Sequence, residues 1–261
     1  MFVPNTFEDK VVLVTGGRSG IGYNIAESYL KSGATVYIVS RNEELLKEAA
    51  SNLKVHGKVY AQKCDIRVTT EIDLLIETIK SNENRLDILV NNAGGQFLSP
   101  AEDLSEKGWN AVINNNLNGT WYMTQKMAKS FFIPQKLGSI INIIINIYKG
   151  FPGMAHSAAA RAGIDNLTKT LAIEWSKYNI RINAVAPGSI LSTGLKNYPD
   201  HFVDQLASLV PLKRLGTTQE VTDLVLFLSS QYASFITGET VYIDGGQRLT
   251  GGITDLFNIE S

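Results

Sequence analysis

Residues 10–22 read KVVLVTGGRSGIG, and the fold follows from this stretch. The β-branched run in residues 10–15 predicts a buried strand of a parallel sheet. Apolar residues with helical spacing follow in residues 23–31. Four glycines lie between the two segments, where they permit a tight turn and a close approach of helix and strand. This order of strand, glycine-rich turn and helix predicts the first half of a parallel βαβ unit.

The same alternation continues along the chain. Further strands are predicted at residues 34–39, 59–64, 86–90, 139–145, 180–185 and 239–243, and further helices at 43–53, 71–80, 105–132, 155–177 and 219–229. We expect a break in the long helix near Gly119 and a polar insertion at residues 197–209. No Pro- or Ser-rich linker divides the series. The sequence therefore predicts one α/β domain over residues 1–261, a Rossmann-like, doubly wound sheet of seven parallel strands with helices on both faces.

The composition of the chain argues against several classes of function. Charged residues make up 19% of the chain and the formal net charge is −1, so we expect no nucleic-acid partner and no anionic membrane surface. Cys64 is the single cysteine, which excludes an internal disulfide and fits a reducing compartment. The three histidines are scattered, so no metal site is predicted. Without a signal peptide or an apolar run of roughly 18 residues, the predicted location is cytoplasmic.

The glycine-rich turn predicts a dinucleotide cofactor. Its place between the first strand and the first helix puts the helix N-terminus against a pyrophosphate. We expect it to contribute Gly16, Arg18, Ser19, Gly20, Ile21 and Gly22. The second strand ends at Ser40 and Arg41 rather than at an acidic residue. Two guanidinium groups and a hydroxyl suit a 2′-phosphate, which predicts NADPH. The alternative is that these arginines are simply solvent-exposed.

Two further strand ends complete the predicted cofactor site. Asp65 and Ile66 follow the third strand, where Asp65 would accept a hydrogen bond from the adenine amino group. Asn91, Asn92, Ala93 and Gly94 follow the fourth strand and are expected on the adenosine side. For Asn91, a purely structural role toward the loop backbone is the alternative.

A second stretch, residues 138–163, reads GSIINIIINIYKGFPGMAHSAAARAG. It predicts a buried strand, a turn rich in Gly and Pro, and a helix. A strand that ends beside a bound cofactor is where α/β enzymes place their chemistry. The stretch holds no tyrosine four residues before a lysine. It offers Tyr148, Ser157 and Arg161 instead.

Four motifs of the sequence resemble those of a known enzyme family. TGGRSGIG at 15–22, NNAG at 91–94, NLNG at 116–119 and the Pro-Gly pair at 187–188 together resemble the short-chain dehydrogenases/reductases. The resemblance implies that Pro187, Gly188, Ile190 and Thr193 contact the nicotinamide end of the cofactor. It also implies a homo-oligomer, a dimer or tetramer formed through the two long helices.

The resemblance fails at the catalytic residues of that family. The family's serine falls near Ile145, its tyrosine at Ser157 and its lysine at Arg161, so that only Asn116 keeps its type. The usual ketone chemistry should therefore not be assumed.

A second resemblance, to smaller groups of related proteins, includes the segments in which the usual catalytic residues are replaced. GGQFLSPAE at 94–102, KGW at 107–109, GFP at 150–152 and HSAAARAG at 156–163 are similar to peroxisomal trans-2-enoyl-CoA reductases. The 2,4-dienoyl-CoA reductases are similar too, and Tyr148 and Asn118 match a tyrosine and an asparagine of theirs. Both groups imply an acyl-CoA-type substrate whose C=C bond is reduced.

Chemistry favours the same conclusion. Ketone reduction needs an acid, and serine is a far weaker acid than tyrosine, while arginine is a poor proton relay. Reduction of a C=C bond conjugated to a thioester produces an enolate oxygen that needs hydrogen bonds. We expect Ser157 and Tyr148 to donate them and Arg161 to hold the nicotinamide ribose. Asn116 or Asn118 would position a water molecule or the helix break.

Structural alternatives stay open for these residues. Ser157 would then be a packing residue, Arg161 the partner of a carboxylate such as Asp165, and Tyr148 a core or interface aromatic. At the level of function, the alternatives are a reductase of another small carbonyl or activated alkene, and a non-catalytic NADPH-binding protein. Basic residues expected at the entrance for CoA phosphates, or otherwise simply solvated, are Lys149, Lys196, Lys213, Arg214 and Arg248.

Overall fold

Seven parallel strands form the central sheet of the computed structural model, which describes residues 5–193 and 205–249. The strands of the described residues are β1 (Val11–Thr15), β2 (Thr35–Ser40), β3 (Val59–Lys63), β4 (Ile88–Asn91), β5 (Gly138–Ile143), β6 (Ile180–Pro187), β7 (Ile190–Leu191), β8 (Gly216–Thr217) and β9 (Thr240–Ile243). The sheet has the order β3-β2-β1-β4-β5-β6-β9, and β7 pairs with β8 in a small separate ribbon. The strand order reverses between β1 and β4, as Val12 pairs with both Val36 and Ile88. A crevice opens at such a switch point.

Helices cover both faces of the sheet. Their bounds are α1 (Gly20–Lys31), α2 (Glu43–Leu53), α3 (Thr69–Asn82), α4 (Glu106–Ile113), α5 (Gly119–Met127), α6 (Ile133–Gln135), α7 (Ala155–Glu174) and α8 (Thr218–Ser229). Helices α1, α2 and α8 bury Ile25, Leu46 and Val225 on one face, and α3, α5 and α7 pack on the other, where Ile72 and Met123 are buried. The predicted fold class is confirmed. None of the described helices combines the length and apolarity needed to cross a bilayer.

The long helical region differs from its prediction. Helices α4, α5 and α6 are joined by π-helical segments at Asn114–Asn118 and Ala128–Phe132, so helical structure runs without interruption through residues 106–135. The predicted break near Gly119 is therefore wrong. Gly119 remains helical, and a Cβ atom there would lie 2.7 Å from Ile66 Cγ1. Wide π turns of this kind are frequent at functional sites. The first of the two segments, Asn114–Asn118, contains Asn116.

Candidate active site

A cavity of about 680 Å³ lies at the carboxyl ends of β1, β2 and β4. The predicted cofactor residues that line it are Gly16, Arg18, Ser19, Gly20, Ile21, Ser40, Arg41, Asp65, Ile66, Ala93, Gly94 and Thr193. Ser19 caps the N-terminus of α1 without a side-chain hydrogen bond to the helix. The free N–H groups of the first helical turn and the Ser19 hydroxyl therefore face a space that suits a phosphate.

The glycine turn has the backbone that only glycine adopts easily. Gly16 has a φ of 68° and Gly20 a φ of 57°, both in the left-handed region. A Cβ atom on Gly20 would lie 3.3 Å from Thr193 Oγ1. Thr193 therefore lies next to the glycine turn rather than with Pro187, Gly188 and Ile190, with which it was predicted to contact the nicotinamide end. Gly22 lies behind the turn, where a Cβ atom would collide with Asn92 Nδ2 and the carbonyl oxygen of Gly16.

Asn92 lies in the wall of the cofactor cavity, as expected for the segment at residues 91–94. Asn92 Nδ2 donates to the carbonyl oxygens of Thr15, at 3.0 Å, and Gly16, at 3.3 Å, and Asn92 lines the cavity. The buried Thr15 Oγ1 accepts from the backbone N–H of Asn92 at 3.0 Å and of Ala93 at 2.9 Å. These bonds join the ends of β1 and β4 beneath the cofactor cavity.

Asn91 itself requires a correction. Its Nδ2 donates to Thr124 Oγ1 at 2.8 Å and to Asn142 Oδ1 at 2.9 Å, in a buried polar network. It does not line the cofactor cavity. Neighbouring residues at a strand end point to opposite faces, so Asn91 faces the helical layer and Asn92 the turn. The sequence carried no signal that distinguished these two asparagines.

The ribose end of the cavity is positively charged. Arg18 and Arg41 both line it, and neither guanidinium pairs with a carboxylate among the described residues. Arg67 Nε binds Asp65 Oδ1 at 2.9 Å and lowers the pKa of that carboxyl. The negative charge of Asp65 is therefore compensated by Arg67. These residues fit a nicotinamide dinucleotide, and the free arginines suit an additional phosphate.

A second cavity of about 720 Å³ continues from the first, and Ser192 lines both. Its wall contains the predicted residues Pro187, Gly188 and Ile190. The remaining apolar lining comes from Ile145, Leu98, Phe151, Pro152, Met154 and Leu206. This cavity has the size and the apolar wall of a small-molecule site. Its position next to the cofactor cavity makes it the candidate substrate cavity, called the substrate cavity below.

Arg161 is a buried cation that has no counterion within residues 5–193 and 205–249. Its side chain is 6% exposed, Nη1 donates to the Ile143 carbonyl oxygen at 2.9 Å, and Nε meets no acceptor among the described residues. Burial lowers the pKa of its guanidinium to about 10, so it stays charged at neutral pH. Asp165 is not its partner, because that carboxylate binds Lys169 Nζ and Thr240 Oγ1, each at 2.5 Å.

Asn116 fixes the loop that follows β4. Its Oδ1 accepts from the Gly95 N–H at 3.0 Å and its Nδ2 donates to the Gly95 carbonyl oxygen at 2.9 Å. On the same loop, a Cβ atom at Gly94 would collide with Arg161 Nη2. Asn116, Arg161 and the loop therefore form one packed unit beside the cofactor cavity.

Asn118 does not lie where it was predicted to position a water molecule at the active site. Its Nδ2 donates to Asn114 Oδ1 at 2.8 Å, and it lines a surface depression with Arg67 and Tyr122. Two residues along a helix separate side chains by roughly 200°, so Asn118 lies opposite Asn116. The structure does not bring it to the substrate cavity.

Ser157 is completely buried, and its Oγ donates to Gln96 Oε1 at 2.7 Å. Gln96 lines the substrate cavity, whereas Ser157 does not. Gln96 belongs to the motif at residues 94–102, and no role was predicted for it. The only available signal was its place two residues after Gly94, in the loop that follows a cofactor-binding strand.

Tyr148 does not lie where a hydrogen-bond donor to the substrate was predicted. Its side chain is 61% exposed, and its ring meets the Tyr242 ring edge-on at 6.1 Å between centroids. It is absent from the wall of the substrate cavity. Strand β5 ends at Ile143, earlier than predicted, and the following loop turns Tyr148 outward. The structure does not bring Tyr148 and Ser157 together as a donor pair.

Two of the predicted basic residues reach the substrate cavity, namely Lys149 and Arg248. Arg248 Nη1 binds Asp244 Oδ1 at 3.0 Å. Arg214 instead binds Glu220 Oε1 at 2.6 Å through Nη2. Lys213 is exposed outside this cavity, and Lys196 lies outside the described residues.

Comparison with known proteins identifies the family. Residues 16–248 match the family model described as Enoyl-(Acyl carrier protein) reductase. The chain is 41% identical to the "Probable 2,4-dienoyl-CoA reductase [(2E)-enoyl-CoA-producing]" of Bacillus subtilis, over 93% of this chain and 98% of that protein. It is 38% identical to a 3-oxoacyl-[acyl-carrier-protein] reductase of Thermotoga maritima, over 92% and 98%.

The solved structures agree with this assignment. A short chain dehydrogenase from Bacillus anthracis is 43% identical and superposes with a TM-score of 0.89, over 94% of this chain and 99% of that chain. The glycine turn and the NNAG and Pro-Gly segments surround one continuous pair of cavities, as expected of a nicotinamide-dependent oxidoreductase. The chain belongs to the short-chain dehydrogenase/reductase family.

Proposed function

We propose that this protein is an NADPH-dependent reductase of the conjugated C=C bond of an enoyl thioester, a trans-2-enoyl-CoA or a 2,4-dienoyl-CoA. One observation carries the proposal. The substrate cavity presents the neutral amide of Gln96, held by the buried Ser157, and the buried cation Arg161 lies against Gly94 in the wall of the adjoining cofactor cavity. None of these groups is a proton donor for an alkoxide at neutral pH. The amide N–H of Gln96 and the cation of Arg161 are groups that stabilise negative charge on an oxygen.

Conjugate reduction matches these groups. When bound, the cofactor supplies a hydride to the far carbon of the conjugated system. Negative charge then develops on the thioester oxygen, which hydrogen-bond donors and a nearby cation stabilise without transferring a proton. Arg161 would hold the nicotinamide ribose from its place beside Gly94 and Asn116. The α-carbon takes its proton from water in the cavity. The apolar wall with Leu98 and Phe151 accommodates the acyl chain.

The proposal is tested with purified protein, NADPH, and trans-2-hexenoyl-CoA or 2,4-hexadienoyl-CoA. Absorbance of NADPH should fall, and mass spectrometry should show a thioester with one fewer C=C bond. Loss of NADPH only with 3-oxoacyl or other carbonyl compounds would establish the alternative carbonyl reductase. Tight NADPH binding without consumption by any of these compounds would indicate a non-catalytic binding protein.

Cofactor preference gives a separate prediction. Arg18→Ala and Arg41→Ala should each lower kcat/KM for NADPH by about 10- to 100-fold, because a hydrogen bond to a charged group contributes about 1.5–3 kcal/mol. The value for NADH should stay nearly unchanged, since NADH lacks the 2′-phosphate. Steady-state kinetics with both cofactors measures the effect. Lys47→Ala, which removes a positive charge from the exposed side of α2, is the control. Equal losses with NADH and NADPH would refute the assignment.

A further inference from the structure

The described wall of the substrate cavity carries positive charge without negative charge. Lys149 and Arg248 line it, and none of its other lining residues in the described part of the chain is an aspartate or a glutamate. The whole chain has a formal net charge of −1, so this pair is a local concentration of charge. An apolar acyl chain does not require a cation, and a wall of one sign raises the local concentration of oppositely charged ligands. The wall therefore indicates an anionic group on the ligand.

Arg248 is held in place by three contacts. Its Nη1 donates to Asp244 Oδ1 at 3.0 Å, its backbone N–H donates to Asp244 Oδ2 at 2.8 Å, and its Cζ atom lies 4.8 Å from the centroid of the Tyr242 ring. A guanidinium fixed by an ion pair and by an aromatic ring has few conformations left to lose when a ligand binds. Arg248 is therefore preorganised on the wall of the cavity.

The carboxylate that holds Arg248 lies behind the wall. The Asp244 side chain is 2% exposed, and it also accepts hydrogen bonds from the Gly246 N–H at 3.0 Å and from Asn146 Nδ2 at 3.2 Å. Asp244 does not line the substrate cavity. Within residues 5–193 and 205–249, Arg248 Nε and Nη2 have no hydrogen-bond acceptor. Because the Arg248 side chain is 29% exposed, these two donors are accessible to a ligand that enters from solvent.

We propose that Arg248 binds a phosphate of the pantetheine-containing carrier that forms the thioester with the acyl chain, and that Lys149 adds to the positive charge beside it. The inference rests on the proposed function and names a part of the substrate that the protein recognises apart from its acyl chain. A guanidinium and a phosphate pair through charge-assisted hydrogen bonds, and Nε and Nη2 offer two N–H groups for a bidentate contact. Lys149 is exposed and Arg248 is partly exposed, so the phosphate lies where the cavity meets solvent.

Three trans-2-hexenoyl thioesters test the contact, namely those of CoA, of 4′-phosphopantetheine and of pantetheine, which lacks phosphate. With saturating NADPH, Arg248→Gln should raise KM for hexenoyl-CoA by about 10-fold, since a hydrogen bond between charged groups is lost. The value of kcat should change little, because the phosphate is bound alike in the ground state and in the transition state. KM for the pantetheine thioester should stay unchanged. Arg248→Lys, which keeps the charge, should restore part of the affinity for hexenoyl-CoA.

The phosphopantetheine thioester identifies which phosphate is bound. A raised KM with it shows contact with the phosphate that CoA shares with carrier-bound pantetheine, and a raised KM with CoA alone shows contact with the nucleotide part of CoA. Arg85→Gln is the matched control, because it also removes an arginine from a buried aspartate, Asp87, at the amino end of β4. It should leave every KM unchanged. An equal loss with the pantetheine thioester, or no change with hexenoyl-CoA, would overturn the inference.

A second measurement does not depend on turnover. Titration calorimetry of the NADP⁺ complex uses hexanoyl-CoA and hexanoyl-pantetheine, which contain no C=C bond to reduce. Hexanoyl-CoA should bind the wild-type protein more tightly than hexanoyl-pantetheine does, and Arg248→Gln should weaken its binding by about 10-fold. If the wild-type protein oxidises no NADPH with any enoyl or dienoyl thioester, the proposed function fails, and the titration still reports on Arg248. Hexanoyl-CoA that does not bind, or that binds the wild-type protein and Arg248→Gln equally, contradicts the role of Arg248.

Discussion

Arg161→Met should lower turnover by at least about 100-fold, because one lost charge-stabilising donor typically costs about 2.7–4 kcal/mol of barrier. The same variant should raise the free energy of unfolding by about 1–2 kcal/mol, since an unpaired buried charge opposes folding. Arg161 has no carboxylate partner among the described residues and leaves Nε without an acceptor. Methionine fills a similar volume without a charge. Thermal unfolding and steady-state kinetics measure the two effects.

The pH dependence of stability has a defined sign. The arginine of the unfolded chain keeps its usual, higher pKa, and burial lowers the pKa of folded Arg161 to about 10. Folding is therefore penalised while Arg161 stays charged in the folded state, and the penalty fades as the pH rises through about 10. The stability gained by Arg161→Met should be fully present at pH 7 and should shrink above pH 10.

Arg181→Met is the matched control. Arg181 is also partly buried, but its guanidinium donates to three backbone carbonyl oxygens, those of Leu228, Ile236 and Ser230. Its replacement leaves these acceptors without their donor, so Arg181→Met should destabilise the protein and preserve turnover of the folded fraction. If Arg161→Met also destabilises the protein and retains full activity, Arg161 is a structural residue.

Gly94→Ala should lower kcat by about 100-fold, an effect comparable to the loss of one charge-stabilising donor. The added Cβ atom would collide with Arg161 Nη2 and lie 3.3 Å from Asn116 Oδ1. Because interiors are close-packed, the guanidinium must leave its position beside the cofactor cavity. Steady-state kinetics with trans-2-hexenoyl-CoA gives the effect on kcat.

Two comparisons separate this collision from a general disturbance of the loop. A Cβ atom at Gly95 would meet only Asn115 Nδ2 at 3.9 Å, so Gly95→Ala should retain most of the activity. In an Arg161→Met background, Gly94→Ala should add little further loss, because its target is gone. Equal losses for the two alanine variants would mean that displacement of Arg161 is not the cause.

The fold was predictable because its signals are local and repeated. Buried β-branched runs alternate with helical spacing along the whole described chain, and the glycine turn at residues 16–22 marks where the first crossover begins. The alternation predicted parallel strands but not their order, so the switch between β1 and β4 is a finding of the structure. The predicted break near Gly119 was wrong because a π turn widens a helix without interrupting it, and composition does not reveal such a turn.

The site was less predictable, because its residues depend on orientation. Asn91 and Asn92 share a residue type, and only the direction of each side chain at the end of β4 separates their roles. Asn118 lies on the opposite side of its helix from Asn116, and Tyr148 lies in a loop whose path no periodicity describes. Gln96 gained significance only from its contact with Ser157, which is 61 residues distant in sequence.

The most direct test of the account compares two thioesters of the same chain length. Initial rates of NADPH oxidation are measured with trans-2-hexenoyl-CoA and with 3-oxohexanoyl-CoA. Because Ser157 and Arg161 replace the acid that ketone reduction requires, we predict that kcat/KM for the enoyl thioester exceeds that for the oxo thioester by at least about 100-fold, the contribution of general acid catalysis. A higher kcat/KM for 3-oxohexanoyl-CoA would contradict the account.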